Sequence, residues 1–301
     1  MYLKHFKETG LHAGDSGMPE SFPDGFDRAK FDRGRLFYQN NIFSCTLAML
    51  TSLICGLSVE NLLTPLVFTG RSDEAKKALK RYLQTFHHVA LWHFGDIWNP
   101  QSKARESILQ VRKMHNDTRT NMMNSGRYEG MQLSQYDMSL VQCGFIGIII
   151  MYPKDFGISY SSEDIDSYIY FWYCVGYLLG IRDDNNICKG KASQVLEICK
   201  EIEVDILIPA LNNPPQHFRP MAQALIDGIT YLINGRPLFS LQAFLAISYD
   251  ACGVPHPRLS VKDYLRVLFL RSLFTLAMYV PFGRYFLNWM MKRGLNTKAM
   301  T

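Results

Sequence analysis

Polar and apolar positions follow helical periods from about residue 35 onward, and no stretch alternates long enough to build a sheet. Ile42 to Leu57 is strongly apolar, and no charge occurs from Leu36 to Val59. Asn40, Asn41, Ser44, Thr46, Thr51 and Ser52 interrupt that stretch, which favours a buried core helix over a membrane span. Ser72 or Asp73 can cap a helix running from Ala75 to Trp98, with Asn99-Pro100 as its stop. The next helix begins near Ser102. On it Ile108, Val111, His115, Thr118 and Met122 recur at steps of three and four, so they share a face. Gly126 to Gly130 make a break, and Ser134 caps a helix through Met138, Val141, Phe145 and Ile148. Ser161-Ser162-Glu163-Asp164 opens an aromatic helix, Tyr168 to Leu179, that ends at Gly180 before the polar corner Ile181 to Asn186. Further helices are expected around 191–210, 217–234 and 237–251.

The fold class is therefore all-α: one helical domain over 35–260 with extra helices at its ends. Residues 1–34, punctuated by Gly10, Gly14, Gly17, Pro19, Pro23 and Gly25, read as an extended arm. Residues 261–301 form a third region. Between Val261 and Arg293 six basic residues face the single acid Asp263 among Leu, Phe, Tyr and Trp289, which fits a basic amphipathic segment at a membrane surface. A helical hairpin bent at Pro281-Phe282-Gly283 accounts for the same residues.

Composition narrows the function only a little. The net charge of +5 is spread out, and the densest basic cluster, Lys76 to Arg81, is short, so nucleic-acid binding is not expected. Seven cysteines without a C-x-x-C pair suggest reduced thiols in an intracellular protein. Met1 to Gly34 has no apolar core of the secretory type. The expected location is cytoplasmic or on the endoplasmic reticulum membrane.

His115 carries the candidate chemistry. Arg112 and Arg119 lie one turn before and one turn after it. An imidazole on an inward face between two guanidiniums suits a haem iron, with cations for propionates; a core histidine bonded to a backbone carbonyl fits the same pattern. His87, His88 and His93 do not align as a metal set, and Asp183-Asp184 reads as a solvated helix end.

Arg81-x-x-x-Thr85, then His115 thirty residues on with its two flanking arginines, resembles the latex-clearing proteins (rubber oxygenases) and the MpaB-type ER-bound oxygenases. Ser134 to Met138 with Phe145-x-Gly147, and Tyr170-Phe171-Trp172 through Gly180, are similar to the helices that follow in that family. The resemblance implies a globin-like core, one haem b, and cleavage of an isoprenoid or terpenoid C=C bond by dioxygen. The implied partners are dioxygen and a hydrophobic unsaturated small molecule; peripheral membrane contact is expected from the basic segment 261–301. His115 would be the iron ligand, Arg112, Arg119 and Arg81 would bind the cofactor, and Arg81 and Thr85 would be catalytic. The family's distal lysine, one position before the threonine, is Gln84 here, and its distal glutamate has no counterpart. The alternative is an inactive haem- or lipid-binding protein on the same fold; a membrane-associated helical protein without cofactor is the third reading.

Overall fold

The structure, a computed structural model, describes residues 2–298, with side chains through residue 295. Met1, where the expected arm starts, and residues 299–301, where the basic segment ends, lie outside the described residues. Those described form helices and one isolated bridge, Ala13 to Ser134, with no strand. The helices are α1 (Tyr2–Thr9), α2 (Arg28–Asn40), α3 (Ile42–Gly56), α4 (Glu60–Thr69), α5 (Ala75–Phe94), α6 (Lys103–Asn124) and α7 (Gln135–Met151). Then follow α8 (Ser162–Leu178), α9 (Ala192–Ile202), α10 (Ile208–Asn212), α11 (Phe218–Leu232), α12 (Leu241–Cys252), α13 (Val261–Tyr279) and α14 (Gly283–Lys298). The all-α expectation holds.

Local chemistry sets many of the boundaries. The Ser102 hydroxyl accepts from the Arg105 N–H at the start of α6. Ser134 with Asp137, and Ser161 with Asp164, bond reciprocally at the starts of α7 and α8. Three expectations change. The arm is not extended throughout: Tyr2–Thr9 is helical, because Leu3 and Phe6 are buried and the Glu201 carboxylate accepts the N–H groups of Tyr2 and Leu3 at the helix start. Helix α5 stops at Phe94 rather than Trp98. Gly95 passes so close to Ala104 that a Cβ would lie 2.6 Å from it, and the Asp96 carboxylate turns back to the Trp98 N–H. The expected helix over 191–210 widens into a π turn, Glu203–Leu207, just before Pro209, which has no N–H to continue the ladder.

The chain divides into two compact units. The first comprises Met1–Gln39, His87–Gly147 and Tyr160–Pro209; the second comprises Asn40–Phe86, Ile148–Ser159 and Ala210–Thr301. Helices α5 and α7 each supply residues to both. The first unit centres on a wall of rings, with Phe31, Tyr168, Phe171 and Trp172 all buried. The second is organised on α3, nearly all of it buried, against which α12 and α14 pack. Its polar interruptions are used locally: Ser44 donates to the Gly157 carbonyl and Thr51 to Leu47. No single described helix is long and apolar enough to cross a membrane.

Candidate functional site

Helix α6 is fixed in the first unit by two arginines as well as by apolar packing. Its buried side carries Ile108, Val111 and Met122, together with Arg105 and Arg112, which are two turns apart on the same side. Both arginines hold the irregular arm that follows α1. Arg105 donates to the carbonyl of Glu20. Arg112 makes a two-pronged pair with Asp15, Nε to Oδ2 at 3.0 Å and a terminal nitrogen to Oδ1 at 2.6 Å, and donates to the Met18 and Leu178 carbonyls. Burial pushes the Asp15 carboxyl upward, but the Arg112 hydrogen bond, the Gly17 N–H and the charges of Arg112 and Arg119 outweigh it and leave it below the ordinary range. Gly180 makes room for this pair. Its φ of +88° suits glycine, and a Cβ there would lie 2.5 Å from the Asp15 carboxylate.

The predicted residues of α6 thus fare differently. Arg112 is buried, with its donors turned to the arm and to Leu178. His115, one turn on, is half-buried; so is Arg119, which donates to Asn116.

Helix α7 is tied to the arm, to α8 and to the corner at 180–187 through groups that sequence reasoning missed. Gln135, Ser139 and Gln142 recur at i, i+4 and i+7 and are all buried. The Gln135 amide nitrogen lies 2.8–3.0 Å from the carbonyls of Ala13, Gly14 and Gly180, and its oxygen accepts from the Arg182 N–H. Gln142 donates to Trp172 and Asn186 and accepts from Ile187. A polar stripe at helical spacing in an otherwise apolar helix was the available signal. Asp15 and Arg105 gave none. Asp183 and Asp184 pair with Lys189 and Arg182 at the surface.

The α5 histidines have separate partners. The His88 ring shares the Ser107 hydroxyl with the Trp92 indole N–H. His93 is fully buried, stacked on Tyr38 at 3.8 Å and tilted against Phe171 at 4.1 Å between centroids, with Nδ1 donating to the Val89 carbonyl. Burial drives its pKa down to about 3, so it is neutral at pH 7.

In the second unit, Arg81 and Thr85 occupy successive turns of α5. The Arg81 guanidinium donates to the Thr69 hydroxyl at 2.8 Å, and no carboxylate among the described residues pairs with it. Desolvation holds its pKa below the ordinary guanidinium value; the Tyr82 phenol opposes this and Arg71 adds to it. Thr85 donates its hydroxyl proton to the Arg81 carbonyl, which leaves the oxygen lone pairs available to accept. Gln84 is exposed.

Among the described residues no three His, Cys, Asp or Glu side chains gather as a metal set. A protein-only iron centre needs such a set. A single half-buried imidazole is the one protein donor that a haem iron would need, and His115 would supply it.

A family model described as "ER-bound oxygenase mpaB/B'/Rubber oxygenase, catalytic domain" matches residues 42–194, a stretch that holds Arg81, Thr85, Arg112, His115 and Arg119. Among solved structures, "Structure of Latex Clearing Protein LCP in the closed state" is similar in fold, with a TM-score of 0.68 and 16% identity, covering 93% of this chain and 77% of that one. No curated protein matches by sequence.

Proposed function

The chain belongs to the family of ER-bound oxygenases mpaB/B' and rubber oxygenases, and from that premise we propose a haem b-dependent dioxygenase that cleaves a C=C bond of a hydrophobic isoprenoid or terpenoid. The observation that carries the reading is His115: a half-buried imidazole inside the matched stretch, on the helix that Arg105 and Arg112 tie to the arm. His115 would hold the iron through one ring nitrogen. When bound, the haem supplies the redox centre that activates dioxygen for attack on an alkene. The overall balance is simple. One dioxygen and one C=C give two carbonyl groups, both oxygen atoms remain in product, and no external reductant is consumed.

The chain's own residues would do the positioning. Arg112 and Arg105 hold the arm over α6, Arg112 also ties α6 to the Leu178 carbonyl at the end of α8, and the Gln135 and Gln142 stripe fixes α7 to the corner at 180–187. In the second unit, Arg81 offers a desolvated cation whose described side-chain partner is a neutral hydroxyl, chemistry suited to an anionic oxygen group. Thr85 offers an acceptor one turn away.

The test is oxygen uptake by haem-loaded protein supplied with a polyprenyl hydrocarbon under ¹⁸O₂. One O₂ should disappear per bond cleaved, with label in both carbonyl ends and no added reductant. Fully haem-loaded protein that consumes no oxygen with such alkenes would instead favour the second reading, a cofactor-binding protein without oxygenase activity. The observation on that side is Gln84, exposed where the resembled family carries a lysine.

A further inference from the structure

Within the second unit, the corner that joins α4 to α5 gathers donors that the fold itself does not use. Helix α4 ends at Thr69, and the chain turns through Gly70 into Arg71-Ser72-Asp73-Glu74 ahead of α5. The Ser72 hydroxyl, a candidate cap for α5 in the sequence, is instead buried, at 0% exposure, without a hydrogen-bond partner. The Tyr82 phenol on α5, 4% exposed, is also buried without one. These two hydroxyls face each other closely enough to interact, yet they do not close a bond of ordinary length. A buried donor left open costs free energy unless something outside the chain accepts from it.

The open guanidinium lies at the same corner. Thr69 gives its own proton to the Leu66 carbonyl and accepts from Arg81 at 2.8 Å, so it holds the guanidinium in place without neutralising it. Arg71, exposed beside it, adds a second positive charge and has no acid partner among the described residues. The acids that follow, Asp73 and Glu74, both pair with Lys77. Burial holds the Tyr82 phenol above its ordinary range, against the charge of Arg81 and the Ser72 hydroxyl, so it stays protonated and able to donate. The set is therefore all donor: two cations and two hydroxyls. A carboxylate would bring one charge and a planar pair of oxygens. A phosphate brings about two charges near neutral pH and three strong acceptor oxygens, a better complement to two guanidiniums flanked by hydroxyls.

We propose that the α4–α5 corner is a binding site for a phosphate or diphosphate ester, with Arg81 and Arg71 on its charge and the Ser72 and Tyr82 hydroxyls donating to its oxygens. Under the oxygenase reading the ester is the substrate, an isoprenoid with a phosphorylated head rather than a bare hydrocarbon. That substrate assignment rests on the oxygenase reading; the site itself rests on the geometry of the second unit.

Inorganic diphosphate is the first probe, titrated calorimetrically into full-length protein, with and without haem, at about 0.1 M salt, where loose surface pairing is largely screened. Diphosphate should bind and acetate should not compete. Arg81→Gln should weaken binding by at least about tenfold, as the loss of charge-assisted hydrogen bonds does. Arg71→Gln, at the exposed rim, should weaken it by about threefold. The double variant Ser72→Ala/Tyr82→Phe removes hydroxyls that the chain itself does not use. It should keep or raise its urea midpoint and still bind diphosphate about tenfold more weakly. A prenyl diphosphate should bind more tightly than inorganic diphosphate; equal affinity would assign the site to the free ion and overturn the ester. Absence of diphosphate binding, or unchanged binding by Arg81→Gln, would overturn the site. A double variant that unfolds more readily and binds as before would make the two hydroxyls a structural pair, and would overturn it as well. Haem that displaces diphosphate, together with haem loss in Arg81→Gln, would give the guanidinium to a propionate and count equally against it. Colourless protein that binds diphosphate would uphold the site while removing the oxygenase reading.

Discussion

Two helical arginines, Arg112 in the first unit and Arg81 in the second, have been given opposite solutions. Arg112 is buried and closed: a bidentate carboxylate and two carbonyls take up its donors. Arg81 is desolvated and left open, with a threonine hydroxyl and no acid. A buried cation whose pair is complete belongs to the architecture, because removing either partner leaves an uncompensated charge. A desolvated cation without an acid contributes nothing comparable to the fold, so a reason for its retention has to be sought outside the fold. Family resemblance alone assigns both arginines to the cofactor. The structure separates what each does within its own unit.

Substitutions can break this contrast. Arg112→Ala should have the largest effect, a loss of about 3 kcal/mol in urea unfolding, since Asp15 would keep its charge in a half-buried place and the arm would lose its anchor. A change near zero would mean that the arm is held without the pair. The acid limb of stability should come next. The Asp15 carboxyl is held below its ordinary range, so its contribution is complete above about pH 4 and is lost as pH falls through the lower folded value. Asp15→Asn should therefore lower stability at pH 7 and flatten that acid limb. Unchanged acid unfolding in the variant would dismiss the pair as a stability element. Arg81→Leu should have the smallest effect, within about 1 kcal/mol of wild type in cofactor-free protein and in either direction. A loss as large as that of Arg112→Ala would erase the difference between the two sites.

How much of this was legible in the sequence follows from the range of each interaction. The caps Ser102, Ser134 with Asp137, and Ser161 with Asp164 act over three residues, and the starts of α6, α7 and α8 fall where they point. The bend at Pro281-Phe282-Gly283 is equally local. By contrast, α1 depends on Glu201, nearly two hundred positions away, and the Arg112–Asp15 pair spans 97. Such partners leave no periodic trace. The stop of α5 at Phe94 depends on the close approach of Gly95 to Ala104, which a proline five residues later concealed. At the site, the helical face of His115 was readable as a pattern. That pattern did not say that Arg112, beside it, would be the more deeply buried of the two and committed to the arm.

The most direct measurement is a pyridine haemochrome assay with visible spectra on wild type and His115→Ala, both purified from cells supplied with a haem precursor. About one b-type haem per chain in the wild type is expected, with a Soret band, and essentially none in His115→Ala at unchanged helical circular dichroism. Colourless wild type that cannot be reconstituted with haemin, or a variant that keeps its full haem complement, would contradict the assignment of His115 as the iron ligand.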